Sequence, residues 1–587
     1  MAPPVPVPVL AGEGCGLAVA RGPATVDLHR DAGRLAAVHG SPRFADPALV
    51  DIAGDRGPAA ALAAGIDRLG PAILGGLHGA FAVAWIDGRS GEALLAIDRV
   101  GGRCPLVYFQ RGETLLFGSS GAALDAHPAA SGEVDLQGLY NFIYFYMVPG
   151  PGTARRDVRR LLPGTYLHLK NGDAGVVRYH ETRFEERGSK RLADLEEEFH
   201  AVLRQSVADD FQADTTACFL SGGTDSSAVA GVAAALSDRR SPSYSIGFEA
   251  GGYDEMSYAR IAARRFGIDH REYYVTPADV ADLIPRLAAA YGDPFGNESA
   301  VPTYYCAKRA AEDGSRRMLA GDGGDELFAG NERYAIQHVF GIYGRVPAAL
   351  RSVFEPVLFS IPAGERIAPI RRARNYVRSA SSPMPQRMQA YNYLERLGRQ
   401  RILEPAFLEQ VDPGQPLRLL GEAYAGARAD SMLNRMLAMD CRFTLADNDL
   451  QKVSRMGELA GVDVRYPLLS DSMVDFASRL PPNLKLRHLK LRWFWKHALR
   501  DFLPREVLTK KKHGFGLPFG VWLREDTRLR ELAGDSLAGL KARRIIRPAF
   551  IDELTGLHRQ DHAAYYGVII WVLMMLEQWF RHHRDRG

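Results

Sequence analysis

Two patterns of apolar residues divide the chain. In the first third, short apolar runs alternate with Gly and Asp turns, which indicates β-strands: Gly79–Trp85, Ala93–Ile97, Leu106–Phe109, Leu115–Gly118 and Tyr166–Leu169. Asp87-Gly88, Arg111-Gly112 and Asn171-Gly172 supply the turn chemistry. This pattern predicts stacked antiparallel sheets, with a boundary near residue 190.

Beyond about residue 195, apolar strands alternate with helical segments. The predicted strands are Ala217–Leu220, Ser243–Phe248, Arg271–Val275 and Arg317–Ala320. Alternation of this kind predicts a parallel sheet covered by helices on both faces, and the remainder, from about 335, reads as helical. We therefore predict an α/β protein with domains at 1–190 and 191–587.

Composition narrows the class of protein. The chain has 587 residues and a formal net charge of only +4, with both signs interleaved, so nucleic acid is not an expected partner. The five cysteines are scattered without a CxxC pair, which favours a reducing cytoplasm. The N-terminus lacks a signal-peptide pattern, and the apolar run Tyr565–Trp579 is expected to be a buried helix rather than a membrane span.

The first chemical motif is Ser221-Gly-Gly-Thr-Asp-Ser-Ser227, which follows an apolar strand and opens a helix. Its glycines allow close backbone approach, and the N–H groups at the new helix N-terminus attract phosphate. Asp225 would repel phosphate unless a cation intervened, so we interpret it as a Mg²⁺ ligand. The motif lacks the Gly-Lys-Ser/Thr ending of a kinase-type loop, which favours pyrophosphate as the leaving group. The alternative is a turn that only caps the helix.

The second motif is Gly321-Asp-Gly-Gly-Asp-Glu326, directly after another predicted strand. Ligands of parallel sheets bind at the carboxyl ends of strands. Asp325 is the natural second Mg²⁺ ligand, and Asp322 would lie nearer the reacting carboxylate and amine. Glu326 is either catalytic or a brace for the loop, and the alternative for the whole motif is a surface turn.

Together the two motifs resemble the pyrophosphate-releasing synthetase domain of the asparagine synthetase family. Further segments continue the resemblance in family order from about 195 to 585, including Tyr244–Phe248, Tyr253–Ala259, Gln451–Met456, Val464–Leu468 and Lys510–Phe515. The resemblance implies an adenine nucleotide α-hydrolase-like fold that uses ATP and Mg²⁺.

The resemblance also implies roles for individual residues. Pyrophosphate would be held by Ser221, Gly222, Gly223, Asp225 and Ser226. Adenosine would lie against Leu220, Ile246 and Gly321, and Asp225 and Asp325 would ligate Mg²⁺. Lys512 matches the family lysine that contacts the reacting phosphate, and Asp322 falls where asparagine synthetases carry an acid.

A positioned ammonium at Lys512 also makes chemical sense, because negative charge accumulates on the leaving pyrophosphate and on the attacked carbonyl. Its neighbours Lys510, Lys511 and His513 are expected to be solvated or to steer phosphate. Lys452 and Arg455 could approach the α-phosphate or could serve only in structural pairing.

The N-terminal region resembles the glutaminase domain of the family, an Ntn-hydrolase-like fold, at Leu77–Phe81, Asp98–Gly101 and Pro105–Tyr108. Glutaminases of this type use an N-terminal cysteine whose α-amine serves as the base. Removal of Met1 would expose Ala2 instead, and the family's oxyanion-hole asparagine is absent from Ala37–Arg43. We expect this domain to be inactive, and processing that exposes Cys15 is the alternative.

The sequence therefore predicts a ligase that adenylates a small-molecule or peptide carboxylate for attack by an amine. Family members without the glutaminase cysteine include β-lactam synthetases and lasso peptide cyclases; Asp322 stands where β-lactam formers have tyrosine, which disfavours them. The leading hypothesis is macrolactam formation of the lasso-cyclase type, with a precursor peptide and a protease as partners. The alternatives are asparagine synthesis from ammonia or glutamine, and an inactive scaffold protein.

Overall fold

The computed structural model describes residues 9–12, 14–19, 22, 25–130, 132–188, 190–237, 241–361, 367–390, 392–511 and 516–585. The N-terminal region is built on antiparallel strands, as predicted. They are β1 Val9–Gly12, β2 Cys15–Ala18, β3 Val26–Asp31, β4 Arg34–Gly40, β5 Arg43–Phe44, β6 Leu77–His78, β7 Phe81–Asp87, β8 Glu92–Ile97, β9 Val107–Arg111, β10 Thr114–Gly118, β11 Val158–Arg160, β12 Thr165–Lys170 and β13 Asp173–Arg178.

The main N-terminal sheet has six strands in the order β13-β12-β8-β7-β4-β3. Alternate residues of its central strands enter different cores, as the two-residue period of a strand requires. Val83 and Leu94 face one core, which includes the helices Pro47–Arg56 and Pro58–Leu69, whereas Ala84 and Leu95 face the other. Tyr108 of the three-stranded sheet β10-β9-β11 packs on that second core, so the two sheets are stacked.

The second region contains a five-stranded sheet in the order β16-β15-β14-β17-β18, parallel throughout. Its strands are β14 Thr216–Phe219, β15 Pro242–Phe248, β16 Asp269–Val275, β17 Arg317–Leu319 and β18 Asp463–Arg465. The first four were predicted. The fifth strand, β18, lies in the part of the chain that was expected to be helical. It could not be predicted from an apolar run, because it is only three residues long and has charged residues at both ends.

Helices surround this sheet and fill most of the C-terminal part. Those in the first part of the region are Leu192–Asp210, Thr224–Ala235, Met256–Phe266, Pro277–Ala290, Ala300–Glu312 and Gly324–Phe328. Those that follow are Glu332–Tyr343, Ala348–Ser360, Ala368–Ser381, Tyr393–Leu397, Arg399–Ile402, Pro405–Leu408, Gln415–Gly426, Met432–Asp440, Leu450–Ala460, Asp471–Arg479, Pro482–Lys485, Trp493–Ala498, Arg505–Thr509, Phe519–Glu525, Thr527–Ala542, Pro548–Gln560 and Ala563–His583. A π-helix, Cys441–Asp449, links two of them, and the short strands β19 Leu486–Arg487 and β20 Lys490–Leu491 form a hairpin.

The terminal helix Ala563–His583 is a core element, as predicted. Among the described residues it is the one helix long and apolar enough to cross a membrane, but 72% of its apolar window is buried inside the fold. It packs against the helices Pro277–Ala290, Phe519–Glu525 and Thr527–Ala542. Burial of this kind is typical of a central helix in a large helical layer.

Candidate active site

The first loop of the site connects β14 to the helix Thr224–Ala235. Gly222 has a φ of +68°, and a Cβ at this position would lie 2.5 Å from the amide nitrogen of Ala259. Conformation and space therefore both require glycine. The hydroxyl oxygens of Ser221 and Ser226 lie 3.0 Å apart, and the Ser221 amide donates to Ser226 Oγ at 3.1 Å. This loop leads into a helix N-terminus, an arrangement that attracts phosphate.

The second loop follows β17 and lies beside the first. β14 and β17 are neighbouring parallel strands, with Cys218 opposite Leu319, so their carboxyl ends meet at one edge of the sheet. A Cβ on Gly321 would be 2.6 Å from the amide nitrogen of Ser226. The absence of a side chain at Gly321 therefore allows the two loops to touch.

One cavity of about 1000 Å³ opens at this edge, and we call it the catalytic cavity. Its lining contains nearly all of the predicted nucleotide and metal residues: Leu220, Ser221, Gly223, Asp225, Ser226, Ile246, Gly321, Asp322 and Asp325. Gly222 does not line the cavity, because it faces the helix Met256–Phe266. The residues that the sequence separates by about 100 positions are thus assembled around one space.

Arg492 links the two predicted metal ligands, and sequence reasoning missed it. Its Nη1 donates to Asp225 Oδ2 at 2.7 Å and lies 3.3 Å from Asp325 Oδ1, while Nη2 also contacts the Asp225 carboxylate. Burial alone would lower the pKa of Arg492, but the two carboxylates raise it above its usual value. Nothing in the local sequence distinguishes this arginine, because its partners are more than 160 residues away.

Glycines make room for this charge cluster. A Cβ on Gly324 would lie 2.6 Å from the Asp225 carboxyl carbon, and one on Gly330 would be 1.7 Å from Asp325 Oδ1. The three charged side chains can meet only because both positions lack a side chain.

The donor set fits Mg²⁺. Among the described residues no group of three or more His, Cys, Asp or Glu side chains is arranged to hold a metal ion. Two carboxylates nevertheless suit Mg²⁺, which in nucleotide sites takes one or two protein carboxylates and completes its shell with water and substrate phosphates.

Asp322 belongs to a second charged group in the catalytic cavity. Lys452 Nζ donates to Asp449 Oδ1 at 2.9 Å, and all three side chains line the cavity. Burial raises the pKa of Asp322 to about 6; the Lys452 ammonium opposes this shift, and Asp449 and Asp225 add to it. Burial would lower the pKa of Lys452, but Asp449 and Asp322 raise it overall. Lys452 therefore lies among the cavity's acids rather than on the surface.

Glu326 is buried, with a relative exposure of 7%. Burial, followed by the charges of Asp325, Asp449 and Asp440, raises its pKa well above the usual range. A carboxyl group whose ionisation is disfavoured in this way suits a brace of the loop better than an anionic ligand.

Lys512, His513 and Phe515 lie outside the described residues, so the role of Lys512 stays a prediction. Lys510 and Lys511 line the catalytic cavity. Lys510 is not solvated as expected: its side chain is 8% exposed, and Nζ lies 2.8 Å from a Glu255 carboxylate oxygen and 4.9 Å from the centre of the Tyr258 ring. Arg455 lies outside this cavity and donates to the backbone oxygen of Ser119 at 2.5 Å.

A second cavity of about 300 Å³ lies between the N-terminal sheets and the parallel-sheet region; we call it the Cys104 cavity. His39, from the segment that lacks the family asparagine, lines it, together with Cys104 and Arg103. Burial raises the pKa of the Cys104 thiol to about 12. Cys15 does not line this cavity; it lies half-buried on β2, and Ala2 lies outside the described residues.

A parallel sheet with a glycine-serine loop and paired aspartates at its carboxyl edge defines the class of ATP-pyrophosphatase ligases. The family model for asparagine synthase matches residues 198–581, and the model for the glutamine amidotransferase domain matches residues 58–180. The chain therefore belongs to the asparagine synthase family, and it is an ATP-dependent ligase that forms C–N bonds.

Two relatives illustrate the similarity. The chain is 27% identical over 550 residues to the "Putative asparagine synthetase" of Mycobacterium bovis, which covers 89% of this chain and 79% of that protein. It is 25% identical over 401 residues to asparagine synthetase 1 of Bacillus subtilis, which covers 67% of this chain and 61% of that protein. Both relatives are named as glutamine-hydrolyzing.

Proposed function

We propose that the catalytic cavity adenylates a carboxylate with ATP and Mg²⁺, and that an amine then attacks the activated acyl group. The observation that carries this proposal is the convergence of Asp225 and Asp325 on one cation, Arg492, beside the glycine-serine loop Ser221–Ser227. Two carboxylates that share one positive partner would present their oxygens to a bound metal from adjacent loops. Mg²⁺ in this position would neutralise charge on the phosphates and favour departure of pyrophosphate.

In the first step the substrate carboxylate oxygen bonds to the α-phosphorus and the bond to pyrophosphate breaks. Ser221, Gly223 and Ser226 would hold the departing pyrophosphate. Arg492 and Lys510 lie in the same cavity, and their positive charge would stabilise the negative charge that grows there. Lys512 is proposed to act in the same way at the reacting phosphate.

In the second step the amine nitrogen bonds to the acyl carbon, AMP leaves and a proton must be accepted. Asp322 is proposed as the acceptor. Its raised pKa, about 6, still leaves it ionised at neutral pH while making it a better base than an ordinary carboxylate. Lys452, which lies beside it, would hold that carboxylate in place.

Asparagine formation from aspartate is the first candidate reaction, because the relatives carry that name. Formation of an amide within a peptide is the second candidate reaction. The argument for it comes from the N-terminal region. The segment Ala37–Arg43 has no asparagine for an oxyanion hole, which favours free ammonia or an amine of the substrate over ammonia cut from glutamine. A precursor peptide and a protease are proposed partners only for the second reaction.

The test is exchange of labelled pyrophosphate into ATP, because it reports the first step with each acyl substrate. Aspartate is compared with peptides that carry a carboxylate side chain and a free N-terminal amine. Asp225→Asn is expected to lower exchange by roughly 100-fold or more, whereas Asp214→Asn, an exposed aspartate before β14, should change it little. Full exchange in Asp225→Asn would overturn the metal assignment, and peptide-dependent exchange would select the second reaction.

A further inference from the structure

A third cavity, of about 490 Å³, lies behind the catalytic cavity, and we call it the Lys485 cavity. Its walls come from the N-terminal region, from the helices Gln415–Gly426 and Asp471–Arg479, and from the π-helix Cys441–Asp449. Its size falls within the range of small-molecule sites, about 300–1,000 Å³. Nothing in the proposed adenylation chemistry requires this space.

The Lys485 cavity shares a wall with the catalytic cavity. Leu445, on the π-helix, and Glu326, on the second loop, line both spaces. The same π-helix ends at Asp449, which pairs with Lys452 beside Asp322. A molecule in the Lys485 cavity would therefore contact the back of the element that holds this charged group.

Lys485 is a buried cation with a neutral hydrogen-bond partner. It is 1% exposed, and its Nζ donates to Asn434 Oδ1 at 3.0 Å. Asn434 in turn donates to Glu186 at 2.9 Å, and the Phe184 ring lies 5.0 Å from Nζ. Burial lowers the pKa of Lys485 to about 7, although Cys441 and Glu186 oppose the shift. Among the described residues no carboxylate lies within ion-pair distance of Nζ.

Arg442, which is half-buried, is a second cation in the cavity lining. Its Nη2 donates to the backbone oxygen of Gly150 at 3.0 Å, and its buried Nε has no hydrogen-bond partner among the described residues. Burial lowers the pKa of Arg442, Asp447 opposes that shift, and Arg178 lowers it further. A buried cation without a carboxylate contact is costly unless an anion completes its surroundings.

Glu326 is buried in this lining, and burial raises its pKa well above the usual range. The other acids of the lining are already engaged or face solvent. Glu181 lies 2.8 Å from Arg428, and Asp471 accepts from the Gly79 amide at 2.7 Å. Glu422 and Asp475 are exposed. The cavity therefore has spare positive charge on its buried side, while Leu162, Leu419, Ala423, Leu445 and Val474 supply apolar wall.

We propose that the Lys485 cavity binds a carboxylate with an apolar chain, whose head group contacts Lys485 and Arg442 and whose chain lies against the apolar wall. Occupancy would alter nucleotide binding in the catalytic cavity through Leu445. The Lys485 cavity is distinct from the catalytic cavity, so the inference does not depend on which carboxylate is adenylated.

The test is calorimetric titration of the full chain with octanoate, with octanol as the uncharged probe of equal length. We expect saturable octanoate binding that weakens at least tenfold in Lys485→Met and in Arg442→Met. Octanol should bind at least tenfold more weakly than octanoate. Lys170→Met, at the exposed end of strand β12, is the matched control and should bind octanoate as the parent does. No saturable binding, or equal binding by parent and both cavity variants, would overturn the proposal.

Two further arms keep the test decisive. Ala423→Trp would fill the apolar end of the cavity without removing a buried charge, and it should abolish octanoate binding. This variant keeps the proposal testable if Lys485→Met fails to fold. Asp225→Asn should retain octanoate binding; loss there would place the probe in the catalytic cavity and contradict the proposal. Because burial lowers the pKa of Lys485 to about 7, this side chain is mostly neutral at pH 8. Carboxylate binding should therefore take up protons, so the heat should differ between phosphate and Tris buffers.

Coupling is measured separately. Octanoate should change the KM for ATP in pyrophosphate exchange at least twofold in the parent and not in Lys485→Met. If octanoate binds but leaves the KM for ATP unchanged, the coupling through Leu445 is refuted and the binding site is not. If the parent shows no pyrophosphate exchange at all, that result contradicts only the proposed adenylation.

Discussion

The catalytic cavity and the Cys104 cavity show how differently the two regions of the chain place their reactive groups. In the catalytic cavity, carboxylates and cations line one open space, and glycines at 324 and 330 make room for Arg492 to meet Asp225 and Asp325. In the Cys104 cavity, the thiol is 6% exposed and its pKa is raised to about 12 by burial. Thiolate is the reactive form of cysteine, so this cavity holds its sulfur in the unreactive state.

The difference teaches that fold and chemistry are retained by different residues. The N-terminal sheets depend on alternating apolar positions such as Val83 and Leu95, which form cores on both faces. The ligase site depends on a few charged residues at strand ends that contribute little to those cores. The N-terminal region could therefore keep its fold if its reactive residues changed. The parallel-sheet region, in contrast, cannot lose Asp225 or Asp325 without losing its proposed function.

The largest expected effect comes from Arg492→Met, which removes the cation between Asp225 and Asp325. Two partly buried carboxylates would then face each other, and we expect the free energy of unfolding without metal to fall by about 3 kcal/mol. Added Mg²⁺ should raise the melting temperature of the variant more than that of the parent, because the ion would replace the missing charge. Thermal unfolding with and without Mg²⁺ measures both effects.

Arg500→Met is the matched control for that comparison. Arg500 is 46% exposed and lies 3.1 Å from Glu196, and an exposed ion pair of this type is worth less than about 1 kcal/mol. Equal stability losses in the two variants, or no additional Mg²⁺ effect in Arg492→Met, would contradict the shared-cation geometry.

Asp322→Asn is expected to have a smaller, pH-dependent effect on stability. The folded-state pKa of Asp322 is raised to about 6 by burial, so the folded protein holds this proton more tightly than the unfolded chain does. Its contribution to stability is fully present below about pH 4 and is lost as pH rises through 6. At pH 7.5 the variant should therefore be more stable than the parent by on the order of 1 kcal/mol, and the gain should vanish near pH 4.

Asp313→Asn is expected to change the free energy of unfolding in the opposite direction. Burial would raise the pKa of Asp313, but the hydrogen bond from Tyr244 and the charge of Arg271 lower it overall. This substitution should lose stability at neutral pH and lose less as the pH falls through the folded-state pKa. Denaturant unfolding at pH 3, 4, 6 and 7.5 compares the two variants, because the pKa of Asp313 is lowered from its usual 3.8. A stability change of the same sign in both at pH 7.5 would refute the environment assigned to Asp322.

The strand-end loops could be predicted from sequence because their chemistry is local. A buried strand followed by glycines and acids is visible without any tertiary information, and Asp225, Asp322 and Asp325 were found in this way. Arg492 and Lys485 could not be predicted in this way, since nothing in the sequence next to either residue indicates that it is buried. Their burial follows from contacts with residues distant in the chain, as with β18, which forms only by pairing with β17.

The smallest expected effect is that of Cys15→Ser, which tests the N-terminal side of the comparison. If the amine comes from free ammonia or from the substrate, this variant should form product and release glutamate from glutamine at the parent's rate within about twofold. Cys104→Ala is the buried-thiol control; it should cost about 1 kcal/mol of stability and leave activity unchanged. The contrary result has two parts: the parent releases glutamate strongly while Cys15→Ser does not, and mass spectrometry shows a chain that starts at Cys15. Together they would show that the N-terminal region is an active glutaminase, and the contrast between the two cavities would no longer hold.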